Sequence, residues 1–221
     1  MTSSVAGPRG ILSKHLIRDQ ALSIIDEEGV DALTMRRLAD RLGVKAQSLY
    51  SHFPNKDAVL DAVANRLATS INPNNFDSSW QDGLRTWATS YYDVIHWHPN
   101  AAHIVAAGAS DRLEYLAVST KVHENLMRHG WPPRHATMAA AAVTYLVLGA
   151  ATTHFATAND DAADARHYPH LEDETAGVRV ARSIDRESFA LALDSLIRGL
   201  EHVLAACEQR ISRDNQDYTD K

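Results

Sequence analysis

Between Leu33 and Lys56 the sequence reads Leu-Thr-Met-Arg-Arg-Leu-Ala-Asp-Arg-Leu-Gly-Val-Lys-Ala-Gln-Ser-Leu-Tyr-Ser-His-Phe-Pro-Asn-Lys, and few folds satisfy all of these residues at once. Thr34 stands at an N-cap position ahead of Met35, Leu38 and Leu42, and Gly43 closes that short helix. Gly43 also permits a left-handed turn, with Val44 plugging the core beneath it. A second short helix, Ala46 to His52, stops before Pro54, which disfavours a helical residue at Phe53. Small Ala39 allows the two helices to cross closely, while Leu49 and Phe53, four apart, point the second one inward. Lys45, Gln47, Ser48, Tyr50, Ser51 and His52 are left on the outside. A short helix pinned by a tight turn against a supporting helix, polar on its outward side, is a helix-turn-helix.

Charge separates a reading motif from a hairpin used only for packing. The chain carries 22 Lys and Arg against 28 Asp and Glu, a formal net charge of -6. Within Leu33–Lys56, however, Arg36, Arg37, Arg41, Lys45 and Lys56 oppose Asp40 alone, a local charge of +4 that leaves -10 for the remainder. A basic island in an acidic chain steers a protein to phosphate. Gln47 has the geometry to pair with a base edge, adenine best of all. Ser48 can bond a base or a phosphate. Thr34, Tyr50, His52 and Lys56 suit phosphates, which fix register without encoding sequence. Asn55 and Lys56 begin a further helix whose first amides favour an anion.

The rest of the chain reads as helix throughout. Apolar spacings of 3.6 predict helices over His15–Glu28, Lys56–Ile71, Trp80–His98, Ala101–Ala107, Asp111–His129, Pro133–Ala158 and Arg186–Ile211. Alternating strand patterns are missing. The segment Asn72 to Ser79 is turn chemistry and gives the domain boundary: 1–72, with a core at 14–67, and 73–221. The fold class expected is all-α, a three-helix helix-turn-helix domain plus a larger helical ligand-binding and dimerisation domain. Asn159 to Asp185, rich in Asp and Glu, is expected to be a long loop. One cysteine, Cys207, forms no internal disulfide, and no stretch is long and apolar enough for a membrane span. A cytoplasmic, non-membrane protein is expected.

The motifs Thr34-Met-Arg-Arg-Leu-Ala-Asp-Arg-Leu-Gly-Val, Ser48-Leu-Tyr-Ser-His-Phe and Asn55-Lys-Asp-Ala-Val-Leu-Asp-Ala-Val resemble the N-terminal signature of the TetR family of repressors, over about Lys14 to Leu67. Phe189 to Leu204, Trp80-Gln81 and Leu148-Gly149-Ala150 resemble the tetracycline repressors themselves. The resemblance implies an all-helical homodimer that binds a palindromic double-stranded DNA operator and is released by a small-molecule effector. It places DNA contacts at Thr34, Arg36, Lys45, Gln47, Ser48, Tyr50, His52 and Lys56. It does not extend to the drug: positions that hold tetracycline or its metal in those repressors align with Asn72, Trp87, Ala106 and Thr153. Magnesium–tetracycline is therefore not the expected effector, and the effector stays unknown.

Apolar walls with a few convergent polar groups describe a small-molecule site, and Trp87, Tyr91, His103, His123, Met127, Tyr145 and His154 are the effector-binding candidates. Ordinary core packing is the competing reading for each aromatic. His96 and His98 would point apart on a helix, so no metal site is assigned. The seam of the last helix, Leu193, Leu196, Ile197, Leu200, Val203 and Leu204, is expected at the dimer interface, with internal core as its alternative. Nothing resembles a nucleophile–base pair or a phosphate loop, so no catalytic residue and no cofactor is assigned. The reading is a DNA-binding transcriptional regulator, a ligand-relieved repressor first. An activator or a ligand-independent regulator is the near alternative, and a helical enzyme or ligand carrier the remote one.

Overall fold

The computed structural model describes residues 12–106, 113–152 and 177–219, and every regular element among them is a helix. Nine α-helices follow in order: α1 Lys14–Glu28, α2 Met35–Leu42, α3 Ala46–Tyr50, α4 Lys56–Ala68, α5 Trp80–Trp97, α6 Ala102–Ala106, α7 Leu113–Arg128, α8 Pro133–Thr152 and α9 Gly177–Thr219. Single 3-10 turns at Val30–Ala32 and Pro99–Ala101 precede α2 and α6.

Four of the starts are set by side chains that accept from the backbone N–H groups a helix leaves open. Ser13 caps α1, Thr34 caps α2, Asn55 caps α4 and Ser79 caps α5, each accepting from the amide three residues on. Gly43 ends α2 at φ 65°, and its amide together with that of Val44 returns to Ala39 and Asp40. That left-handed residue turns the chain directly into α3, and any side chain there would be strained.

Helices α1 to α4 form a compact head in which α1 packs on α2 and α4, and α2 on α3. Ile17, Ile24, Ile25, Leu38, Leu49, Val59 and Val63 are its fully buried centre. The apolar interior does not stop at the head. It runs through Leu67, Ile71, Phe76 and Trp80 into a body in which α5 lies against α8, flanked by α7 and α9. The segment Asn72 to Ser79, expected as a domain boundary, is therefore non-helical but anchored. Phe76 is buried under α5, and His129 Nε2 lies 2.6 Å from the Phe76 carbonyl.

The last helix is longer than its apolar pattern. The expected loop at Asn159–Asp185 gives way to helix from Gly177 onward, while 153–176 lie outside the described residues. The run Val178 to Asp185 contains no Pro or Gly, so nothing breaks the backbone ladder ahead of Phe189. Among the described residues, no helix is long and apolar enough to cross a membrane.

Candidate nucleic-acid interface and internal cavity

The reading helix is short because it is held at both ends. Leu49 and Phe53 are buried in the head core, and Ser51 Oγ donates back to the Ser48 carbonyl to finish the last turn. Lys45, Gln47, Ser48 and Tyr50 consequently point outward, and all four are exposed. Thr34 and Arg36 at the start of α2 are exposed on the supporting helix. Thr34 Oγ1 is already engaged, accepting from Arg37 N at 3.1 Å. His52 lies just past the end of α3 and is half-buried. Lys56 is half-buried too, donating from Nζ to the Val30 carbonyl at 3.0 Å, which uses one of three ammonium protons and leaves two.

The basic island splits into two kinds of charge. Arg37 pairs with Glu28 and Arg41 with Glu27, both glutamates standing at the end of α1. The Glu27 carboxyl is held below its ordinary value, first by the hydrogen bond from Ser23 and then by Arg41. Arg36 and Lys45 form no ion pair among the described residues. Two of the five cations thus tie α2 to α1, and the local charge open to DNA is smaller than the sequence sum. The pairing was not recognised from sequence, although the run Asp26-Glu27-Glu28 is a visible signal for it.

In the body, α5, α7 and α8 line a half-open cavity of about 490 Å³, within the usual range of small-molecule sites. Trp87 and Tyr91 of α5, Val118 and Val122 of α7, and Ala140 and Ala141 of α8 are among its lining residues. Small residues at Ala139–Ala142 keep α8 from filling the space. Of the candidates named from sequence, Trp87, Tyr91, His123 and Tyr145 line this cavity. Tyr145 is at its rim and 73% exposed. His103 on α6 and Met127 near the end of α7 are exposed and off the lining, and His154 lies outside the described residues. Thr144, together with Ser119, Thr120 and Thr137, which periodicity did not single out, adds hydroxyls to the lining. His123 Nε2 lies 3.1 Å from both the Pro133 carbonyl and the Thr137 hydroxyl. Since a carbonyl only accepts, Nε2 carries the proton.

The expected interface seam divides as well. Phe189, Leu193, Ile197 and Leu200 recur at spacings of three and four and are buried inside the chain's own core. Phe189 stacks on Tyr92 with ring centroids 4.3 Å apart. Leu193, Ile197 and Leu200 are therefore occupied within one chain, because that face of α9 already covers α5 and α8. Leu196 and Leu204 are half-buried and Val203 is exposed. Together with Ala192 and Gly199, Leu196 and Val203 make a neighbouring stripe, next to exposed Tyr145 and Gly149 on α8.

Residues 17–63 match the family model for bacterial regulatory proteins of the tetR family, and residues 72–204 match the tetracyclin repressor-like C-terminal domain. The chain belongs to the TetR family. It is accordingly a DNA-binding transcriptional regulator. The class D tetracycline repressor of Escherichia coli is 32% identical over 92% of this chain and 95% of its own length. BioQ, solved with its natural double-stranded DNA operator, is 26% identical with a TM-score of 0.61, covering 86% of this chain and 98% of that one. ActR of Streptomyces coelicolor, solved in complex with (S)-DNPA, is 25% identical with a TM-score of 0.63, covering 89% and 99%. Within this TetR-family chain, Asn72 builds the turn after α4. Its side-chain oxygen accepts from the backbone and side-chain N–H groups of Asn74, at 3.1 and 2.7 Å. The side chains of Ala106 and Thr153 lie outside those described. Among the described residues, no cluster of three or more His, Cys, Asp or Glu side chains could hold a metal.

Proposed function

We propose that this regulator is a cytoplasmic repressor that binds a palindromic operator as a homodimer and leaves it when a small molecule enters the cavity between α5, α7 and α8. The outward row Lys45, Gln47, Ser48 and Tyr50 on a rigidly seated α3 carries the DNA half of this reading. Gln47 reads a base edge, and Arg36, Lys45 and Lys56 hold phosphates on either side. Thr34, Ser48, Tyr50 and His52 complete the contact set. The DNA-bound BioQ relative supports it. The effector half rests on the cavity, and the ligand-bound ActR relative supports that.

The dimer forms through the stripe Leu196, Val203 and Leu204 with the exposed face of α8. Linkage supplies the mechanism. An effector that favours the splayed arrangement of two heads lowers operator affinity by its differential affinity for the two states. Helix α4 is the connecting lever, since it packs on α1 in the head and on α6 and α7 in the body.

The test is binding of the full-length protein to DNA from its own upstream region, followed by fluorescence anisotropy across a salt series. Affinity falling steeply with salt, with loss of sequence preference in Gln47→Ala, is the expected outcome. Salt-insensitive binding, or a Gln47→Ala protein with unchanged preference, would overturn the contact assignment. An effector that strengthens operator binding would favour an activator or co-repressed regulator instead.

A further inference from the structure

A buried carboxylate stands on α9 without a cation. Asp185, expected at the end of a solvated loop, instead lies within the helix and is only 7% exposed. Its neighbour Arg186 is engaged by Asp93, at 3.5 Å. Among the described residues Asp185 itself takes part in no hydrogen bond or ion pair. Its oxygens are not sealed in the way the Tyr92 hydroxyl is, and the residue lines a half-open groove of about 390 Å³ between α8 and α9. The surface left to the carboxylate is therefore what it offers to that groove. Burial first, and the Asp185 charge second, push the Tyr92 phenol above its ordinary value, so the carboxylate is close to the ring that stacks on Phe189. Leu146, Ala150, Phe189 and Ala192 make the groove largely apolar, and no Lys or Arg is among its described lining residues. A carboxylate in such surroundings is costly unless a positive group meets it.

We propose that the groove between α8 and α9 binds a small organic cation, an ammonium group on an apolar body, with the Asp185 carboxylate as its acceptor. The ammonium N–H donates to an Asp185 oxygen in a charge-assisted hydrogen bond, and the apolar body covers Leu146, Phe189 and Ala192. A neutral molecule of the same shape would leave the carboxylate unmet, and an anion would be repelled by it. The groove shares only Tyr145 with the cavity between α5, α7 and α8. This second site therefore stands whether or not that cavity takes the effector.

Phenylbutylammonium, phenylbutanol and phenylbutyrate share one apolar body and differ in the charge of the head. Each is titrated by NMR into the full-length protein and into Asp185→Asn, with circular dichroism to verify folding and light scattering to report the oligomeric state. The ammonium compound should bind the natural protein, and Asp185→Asn should weaken it at least about tenfold, the worth of a charge-assisted hydrogen bond. The alcohol should bind more weakly and be indifferent to the substitution, and the carboxylate should gain from it. Equal affinity of the ammonium compound for the two proteins, a natural protein that prefers the carboxylate, or no binding of the ammonium compound overturns the site. Absence of binding together with a monomeric Asp185→Asn would assign the groove to a basic side chain of a second copy instead. Should Asp185→Asn fail to fold, Ala192→Leu narrows the groove and keeps the carboxylate. It should weaken the ammonium compound and the alcohol alike, and unchanged binding of both overturns the site.

Discussion

His98 Nδ1 lies 2.9 Å from the Asp26 carboxylate, joining the residue after α5 to the last turn of α1. Asn100 reinforces the joint by donating from Nδ2 to the Asp26 carbonyl at 3.0 Å. Three consecutive acidic residues thus serve three partners. Asp26 holds the body, Glu27 holds Arg41, and Glu28 holds Arg37 of the supporting helix. The end of α1 therefore contacts both the body and the supporting helix of the head.

Breaking this joint should uncouple the head. Asp26→Asn and His98→Ala should each lower stability by about 1–2 kcal/mol, the scale of a charge-assisted hydrogen bond. Their double mutant should cost less than the sum. Chemical denaturation of the four proteins measures the coupling, and strict additivity would show that the two side chains do not support one another.

On α2 and α3, neighbouring cations should behave differently. Arg36→Ala and Lys45→Ala should each reduce the slope of operator affinity against salt by about one. Arg37→Ala should leave that slope unchanged, since its guanidinium is committed to Glu28. Anisotropy at four or five salt concentrations distinguishes them.

Gly83 has a packing reason. A Cβ built there would meet the Phe76 ring at 2.3 Å, deep inside van der Waals contact. Gly83→Ala should destabilise by about 1–3 kcal/mol through overpacking. Adding Phe76→Ala should make the Gly83→Ala substitution far less damaging than it is alone. Melting temperatures of the single and double variants give the answer.

Glu27 predicts an acid limb of the stability profile. Its folded-state pKa is lowered, first by the Ser23 hydrogen bond and then by Arg41, so folding favours the charged form. The contribution is complete above the ordinary glutamate range and is lost as pH falls through the lowered folded value. Glu27→Gln should therefore narrow the difference in melting temperature between about pH 6 and pH 3. A variant with an unaltered profile would show that the pairing is not populated in solution.

Charge placed on α9 should have effects that depend on which face receives it. Val203→Glu, on the exposed stripe, should yield a folded monomer with weakened operator binding. Leu200→Glu should instead destabilise the chain itself by several kcal/mol, because that side chain is buried within the protomer and an unpaired charge there is unmet. Light scattering with circular dichroism separates the two results.

Sequence by itself determined the head almost completely. The caps Thr34 and Asn55, the left-handed Gly43 and the inward pair Leu49 and Phe53 are local devices, each acting within a few residues, so their spacing specifies α2, the turn and α3 without reference to the rest of the chain. Helical class in the body was legible for the same reason, through 3.6-residue periodicity. What periodicity cannot express is which of two adjacent helix faces meets which neighbour. Tertiary structure therefore decided that Leu193, Ile197 and Leu200 serve the chain's own core while Val203 is left outside. It also decided that His103 and Met127 lie off the cavity lining while Trp87 and His123 line it, and that Arg37 and Arg41 pair with α1 while Arg36 and Lys45 have no such partner among the described residues. Each of those outcomes depends on contacts between elements distant in sequence. The reason is physical. Caps and turns satisfy backbone groups nearby, whereas burial and ion pairing are satisfied by whatever the fold brings alongside.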